Sequence, residues 1–288
     1  MTSIVRQALL ATAFLVAAAC TNGSREVTTN NRSYTIDETA PRNPDVIFVP
    51  TKMEVVEQML TLAHVDSTDI VYDLGSGDGR IVITAASRRG AHGVGIDIDP
   101  ERIRESIANA DSAGVSDRVE FRRADLFRTD LRAATAVTLY LLPSLNVKLR
   151  PKLLAELQPG TPVVSNSFEM GDWKPDSAVL MGERYVYLWV IPANVAGTWE
   201  LEYKGAETAG RTELEIEQLY QDISGTARVN GRPDSLRETR LRGDSIYFTF
   251  DINGVARTFA GTVGGANMTG ATPDGSLSWR ATRRGIAR

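Results

Sequence analysis

The stretch Val71-Tyr72-Asp73-Leu74-Gly75-Ser76-Gly77-Asp78-Gly79-Arg80 decides how the first part of this chain folds. It runs from a short apolar strand, Ile70-Val71-Tyr72, through a turn with three glycines into the helical segment IVITAASRR. Glycine lets backbone approach a ligand closely, so Gly75, Gly77 and Gly79 mark a ligand-facing turn between strand and helix. A dinucleotide-binding turn would place its last glycine at position 80, which is Arg. An acid, Asp73, stands two residues before the first glycine. A carboxylate there repels a pyrophosphate and suits a ligand that carries an ammonium group.

The neighbouring strands extend the pattern. Gly93-Val94-Gly95-Ile96-Asp97-Ile98-Asp99-Pro100 is a second strand that ends on an acid, with Ile98 beside it and a helix-starting proline after it. Asp97 is placed to hydrogen-bond a ribose diol. Asp125, in Ala124-Asp125-Leu126-Phe127, follows the third strand Val119–Phe121. A carboxylate there accepts from an adenine amino group while Leu126 or Phe127 packs on the ring. Ammonium, ribose and adenine along one sheet edge describe S-adenosyl-L-methionine. Asp78 and Asp99 read as well as turn or cap residues.

Outward from this site, residues 45–194 alternate helical and strand patterns, with strands that are apolar rather than alternating. That predicts an α/β domain with a parallel sheet covered on both faces. Thr51–Val65 is a helix; Ser144–Leu157 is a second, broken by Pro151; Thr161–Ser167 and Tyr185–Ile191 are strands. From residue 195 to 288 the period changes to two: Trp199, Leu201 and Tyr203 alternate with Glu200 and Glu202, and Ile246, Phe248, Phe250 and Ile252 alternate with polar residues. Asn230-Gly231, Asn253-Gly254 and Asp274-Gly275 are hairpin turns between such runs. About eight short strands predict an antiparallel meander that closes as a small β-barrel.

Composition narrows the chemistry. Of 288 residues one is Cys and two are His, so a disulfide scaffold, a thiolate zinc site and a hydrolase triad are all disfavoured and no metal is expected. The net charge of −4 leaves no broad basic face for nucleic acid.

Residues 1–20 read as a signal peptide: an early Arg6, an apolar core from Ala8 to Ala19, then Cys20. Twelve apolar-type residues are too few to span a bilayer, which takes ~20. Ala17-Ala18-Ala19-Cys20 resembles a bacterial lipobox, which implies acylation of Cys20 and a membrane-anchored lipoprotein in the cell envelope. The alternative is a plain secretory signal and a periplasmic protein. Residues 21–44 are polar, show no apolar period and read as a flexible tether.

The order DLGSGDG, GIDIDP, ADLF resembles class I S-adenosylmethionine-dependent methyltransferases. Phe48-Val49-Pro50-Thr51, the DLF–TDL element at 125–131, LRPKLLAEL at 149–157 and SNSFEMGDWKP at 165–175 are similar to the ATP-synthase c-subunit lysine N-methyltransferases and their bacterial relatives. The resemblance implies a seven-stranded Rossmann-like sheet and methyl transfer to a protein lysine. It carries Asp73, Gly75, Gly77, Asp97 and Asp125 over as cofactor contacts and matches an aromatic and Trp-Pro element with Phe168, Trp173 and Pro175. Tyr140, at the end of the fourth strand, stands where such enzymes place acceptor-side residues; with Phe168 and Trp173 it would line an apolar pocket that favours the neutral amine. A secretory signal conflicts with a cofactor made in the cytoplasm, which leaves open an envelope binding or scaffold protein on a methyltransferase fold. Methylation of a lipid or small molecule is open too. Gly197-Thr198-Trp199 resembles the opening of lipocalin barrels, with Arg280 or Arg283 placed to pack on the indole.

Overall fold

The computed structural model describes residues 44–206 and 208–285, together with the backbone of two strands, β1 (Ser24–Thr29) and β2 (Arg32–Asp37). The expected signal peptide, Cys20 and the remainder of the expected tether lie outside the described residues. Within that tether β1 and β2 pair antiparallel, and β2 adds in parallel to the edge of the first sheet. Segments this short and polar carry no periodic signal; only the free sheet edge gives them a ladder to join.

The first domain contains α1 (Met53–Leu62), β3 (Ile70–Leu74), α2 (Arg80–Thr84), β4 (His92–Asp97), α3 (Pro100–Ser112), β5 (Val119–Arg123), β6 (Ala136–Leu139), α4 (Pro143–Glu156), β7 (Pro162–Asn166), β8 (Ser177–Met181) and β9 (Arg184–Val190). Beyond the added hairpin the strand order is β5-β4-β3-β6-β7-β9-β8. The first five of these are parallel, and β9 and β8 close the sheet antiparallel. The seven-stranded α/β sheet read from the sequence is therefore the fold. Val71, Ala136 and Val164 pack toward α1, whereas Tyr72, Val137 and Val163 pack toward α4, as strand alternation requires. Burial on both faces explains why these strands are apolar without a period of two.

The helix expected to break at Pro151 does not. α4 runs through it: Pro151 has no N–H for the carbonyl of Val147, and Val147 is an exposed residue of the helix. Asp99 caps α3, accepting from the Glu101 N–H at 2.8 Å, with Pro100 at the first helical position.

The second domain is one antiparallel sheet of nine strands: β10 (Gly197–Gly205), β11 (Ala209–Leu219), β12 (Asp222–Val229), β13 (Arg232–Ser235), β14 (Arg237–Arg242), β15 (Ser245–Ile252), β16 (Val255–Gly264), β17 (Asn267–Ala271) and β18 (Leu277–Gly285). β10 pairs with β18, and β13 and β14 are two halves of one bent strand, the first pairing with β12 and the second with β15. The result is a nearly closed barrel. Its interior is filled rather than hollow: Phe250 stacks on Phe259 at 4.6 Å, Phe248 on Phe259 at 5.5 Å, and Trp279 meets both Phe248 and Phe259 edge-on. Arg283, not Arg280, lies over Trp199, 4.3 Å from the ring.

The domains join through the turn between β11 and β12. Tyr220 stacks on Trp173 at 5.6 Å, and Gln221 accepts from the Trp173 indole N–H at 2.8 Å while donating to the Lys174 carbonyl at 2.8 Å. The linker backbone adds a bond from the Ala193 N–H to the Gly243 carbonyl at 2.7 Å.

Candidate active site

The C-terminal ends of β3, β4, β5 and β6 open into a cavity of about 500 Å³, walled in part by Asp73, Asp97 and Asp125. Ile98 and Leu126 give it apolar sides, and the segment 44–49 covers it. The three acids thus reach one space, as the spacing of the sequence predicts.

Asp73 is 3% exposed. Its register neighbours in the ladders are Gly95 on β4 and Thr138 on β6, and the Thr138 hydroxyl donates to its carboxylate at 2.8 Å. Burial raises its pKa from 3.8 to about 7; the Thr138 hydrogen bond opposes this, and the charges of Asp97 and Asp78 add to it. Asp97 accepts from the Gly77 N–H at 2.8 Å and from the Asp99 N–H at 2.9 Å, so it ties the glycine turn to β4. Its pKa is raised as well, chiefly by burial, with those backbone bonds opposing. Each Asp97 oxygen keeps lone-pair capacity for a further donor. Asp125 accepts from the Phe127 N–H at 2.9 Å.

The three glycines do different work. Gly75 and Ser76 line the cavity and donate together to the Ile96 carbonyl at 2.8 and 2.9 Å. At Gly77 (φ +54°) a Cβ would fall 2.2 Å from the Phe48 ring, so this glycine seats the covering segment. A Cβ at Gly79 (φ +80°) would meet Phe121 at 2.6 Å and Ser106 at 2.8 Å. Gly79, like Gly77, is not among the residues that wall the cavity, and its missing Cβ serves the packing of α2 and α3 against β5. Arg80, where the dinucleotide pattern wants glycine, forks onto Asp78 at 2.9 and 2.5 Å and donates to the Thr51 carbonyl at 2.8 Å. It fastens the approach to α1 onto the glycine turn. Phe48, under Arg102 at 5.0 Å, is the site residue that sequence reasoning passed over; the quoted Phe48-Val49-Pro50-Thr51 was its only signal.

Tyr140 stands in the wall between this cavity and a second of about 480 Å³, which reaches Glu54, Asn166 and Glu183. Arg184 donates to the Tyr140 hydroxyl at 2.5 Å, and Phe168 stacks behind the ring at 6.0 Å. Phe168 therefore braces Tyr140 without reaching the first cavity. Trp173, expected beside them, is 1% exposed and turned into the domain junction, stacked on Tyr220. The loop that carries it is fixed by Arg150, which donates to Asp172 and to the Met170 carbonyl. Its apolar bulk is used to join domains, which the tripeptide around it gave no means of telling from a pocket wall.

Comparison with known proteins agrees with this geometry. Residues 73–177 match the model of the ANTKMT methyltransferase domain. A protein-lysine N-methyltransferase of Saccharolobus islandicus is 46% identical over 153 residues, covering 51% of this chain and 95% of that protein. An ATP-synthase c-subunit lysine N-methyltransferase of Xenopus laevis is 32% identical, over 49% of this chain and 61% of its own length. A crystal structure described as an RNA methyltransferase from Salinibacter ruber, in complex with S-adenosyl-L-homocysteine, is 58% identical over 51% of this chain and 96% of that one, with a TM-score of 0.51. Glycine turn, strand order and near-complete cover of the Saccharolobus relative agree, and the chain belongs to this family of methyltransferases.

Proposed function

We propose that this chain methylates the side-chain amine of a protein lysine. The methyl donor is S-adenosyl-L-methionine, and the residues present suit it. A cavity of about 500 Å³ is large enough, and its carboxylates stand where an ammonium, a ribose diol and an exocyclic amine need acceptors. In this reading Asp73 takes the ammonium, Asp97 the diol and Asp125 the adenine amino group, between Ile98 and Leu126. The observation that carries the acceptor side is Tyr140, which separates this cavity from a second one open to Glu54 and Glu183.

The donor supplies a methyl group on a sulfonium; the chain supplies placement, which is most of what an in-line transfer needs. A lysine ammonium has no lone pair, and with a free pKa of about 10.4 it must lose its proton first. Glu54 and Glu183 are exposed at the mouth of the second cavity beside Lys52 and Arg184, and in this reading the two carboxylates meet the incoming cation. Val49, Val55 and the Tyr140 ring then desolvate it, which favours the neutral amine. Water takes the proton. The names of the Saccharolobus and Xenopus relatives support lysine as acceptor, while that of the Salinibacter relative makes RNA the competitor to test.

The test incubates the full chain with methyl-labelled S-adenosylmethionine, poly-L-lysine and a mixed-sequence RNA. Label on the lysine Nε and not on RNA is expected; label on RNA alone, or on neither, overturns the reading. From the lipobox-like Ala17-Ala18-Ala19-Cys20 we also propose an envelope lipoprotein. Palmitate incorporation that survives Cys20→Ser would refute it.

A further inference from the structure

β7 ends on Ser165 and Asn166, which alternation sends to opposite faces of the sheet. Ser165 faces α4, where its hydroxyl donates to the Phe168 carbonyl at 2.7 Å. Asn166 faces α1, is 5% exposed, and forms part of the wall of the second cavity. The ladder pairs Leu139 with Ser165, so Asn166 comes next to Tyr140. The Ser167 hydroxyl bonds its Oδ1 at 2.8 Å, and among the described residues no group partners its Nδ2. The backbone just beyond is held in an unusual shape. Ser167 has φ +69°, a left-handed conformation that non-glycine residues seldom adopt. The Ser167 N–H donates to the Tyr185 carbonyl at 2.8 Å, and the Phe168 N–H donates to the Asn166 carbonyl at 2.9 Å. Such strain persists where the surroundings over-determine it, and here it directly follows a buried amide in the wall of a cavity.

We propose that Asn166 orients the acceptor amine, an assignment that rests on the lysine reading above. A neutral primary amine has one lone pair and two N–H bonds. The lone pair must point past Tyr140 toward the methyl carbon, so the N–H bonds need acceptors on the other side. The Ser167 hydroxyl both donates and accepts, so the Asn166 amide can turn its Nδ2 to Ser167 and present Oδ1 to the amine. The amine nitrogen then forms the new N–C bond as the C–S bond breaks with its electron pair staying on sulfur. The amine enters neutral, becomes a methylammonium, and gives its extra proton to water. An amide suits this step better than a carboxylate, which would stabilise the ammonium and hold back the lone pair. The other polar and charged groups around the cavity are Thr51, Lys52 and Glu54 at the start of α1, Glu183 in the turn before β9, Arg184 at the start of β9, and Tyr140.

The experiment compares the full chain with Asn166→Ala and Asn166→Asp, using a fluorescein-labelled pentapeptide Gly-Gly-Lys-Gly-Gly. Readouts are S-adenosylhomocysteine affinity, peptide binding to the S-adenosylhomocysteine complex by anisotropy, and kcat and KM against pH. Asn166→Ala should lower kcat/KM about tenfold to a hundredfold and weaken peptide binding, with S-adenosylhomocysteine affinity within about twofold of wild type. Asn166→Asp should move the rate profile about one unit to alkaline pH by holding the lysine protonated. Wild-type rates in Asn166→Ala, or an unshifted profile in Asn166→Asp, overturn the assignment. If Asn166→Ala loses S-adenosylhomocysteine binding through misfolding, the near-isosteric Asn166→Asp profile decides alone. A wild-type chain that binds S-adenosylhomocysteine but never methylates the peptide removes the lysine reading, and this assignment with it.

Discussion

The Asp73 carboxyl makes cofactor affinity depend on pH. Burial takes its pKa to about 7, so in the empty site it is half protonated near neutrality. A ligand ammonium against it supplies the missing counter-charge and returns the carboxyl to its ionised form. If only the ionised form binds, apparent affinity follows the ionised fraction, about a tenth at pH 6 and about nine tenths at pH 8. S-adenosylhomocysteine, which carries the same ammonium, should therefore bind about tenfold more weakly at pH 6 than at pH 8, releasing about half a proton at pH 7. Titration calorimetry at pH 6, 7 and 8, in two buffers of different ionisation enthalpy, reads both quantities. Asp73→Asn should weaken binding at pH 8 about tenfold to a hundredfold, the worth of a charge-assisted hydrogen bond, and flatten the profile. The sign for folding is opposite. A carboxyl raised from 3.8 makes the empty native chain bind more protons than the unfolded one, so stability falls as pH rises from about 4 to 7. Equal wild-type affinity at pH 6 and pH 8, or an unchanged slope in Asp73→Asn, refutes the assignment of the ammonium to Asp73.

Three further substitutions probe the framework. Gly77→Ala puts a Cβ 2.2 Å from the Phe48 ring in a left-handed backbone, so a loss of about 1–2 kcal/mol and weaker S-adenosylhomocysteine binding are expected in melting and titration. Gln221→Ala leaves the indole N–H of Trp173 buried without its partner; chemical denaturation should register about 1–3 kcal/mol, and no loss would mean that the junction is not held there. Phe259→Ala empties the centre of the barrel and should cost about 3–5 kcal/mol by the same measurement, with S-adenosylhomocysteine affinity preserved.

Asp73 and Asp97 were legible because each sits at the end of an apolar run, and Asp125 because it follows the next strand in order; a strand end is fixed by the few residues around it. The barrel was legible for a like reason: a period of two and Asn-Gly turns are local signals. What local pattern could not give is what a side chain meets. Trp173 looks the same in sequence whether it lines a pocket or stacks on Tyr220 from a strand pair far along the chain. Gly79 looks the same whether it approaches a ligand or makes room for Phe121. Pro151 ordinarily stops a helix, and only the exposure of Val147 shows why it is tolerated here. A left-handed Ser167 has no composition signal at all, since the residue that favours that conformation is glycine.

The bent strand that closes the barrel gives it a seam. Between β12 and β14 the ladder is replaced by the Leu236 N–H on the Gly225 carbonyl at 2.9 Å and the Thr239 hydroxyl on the Ile223 carbonyl at 2.7 Å. Elsewhere each strand is laced to its neighbour by a run of backbone pairs. Local opening follows the fewest bonds, so deuterium should enter the amides of β14 well before those of β10 or β15. An open seam would offer a bare strand edge, the usual starting point for intermolecular sheet growth. Arg237 stands at that place, paired with Asp234 and Asp251, and a charged side chain on an edge is what makes an incoming strand a poor fit.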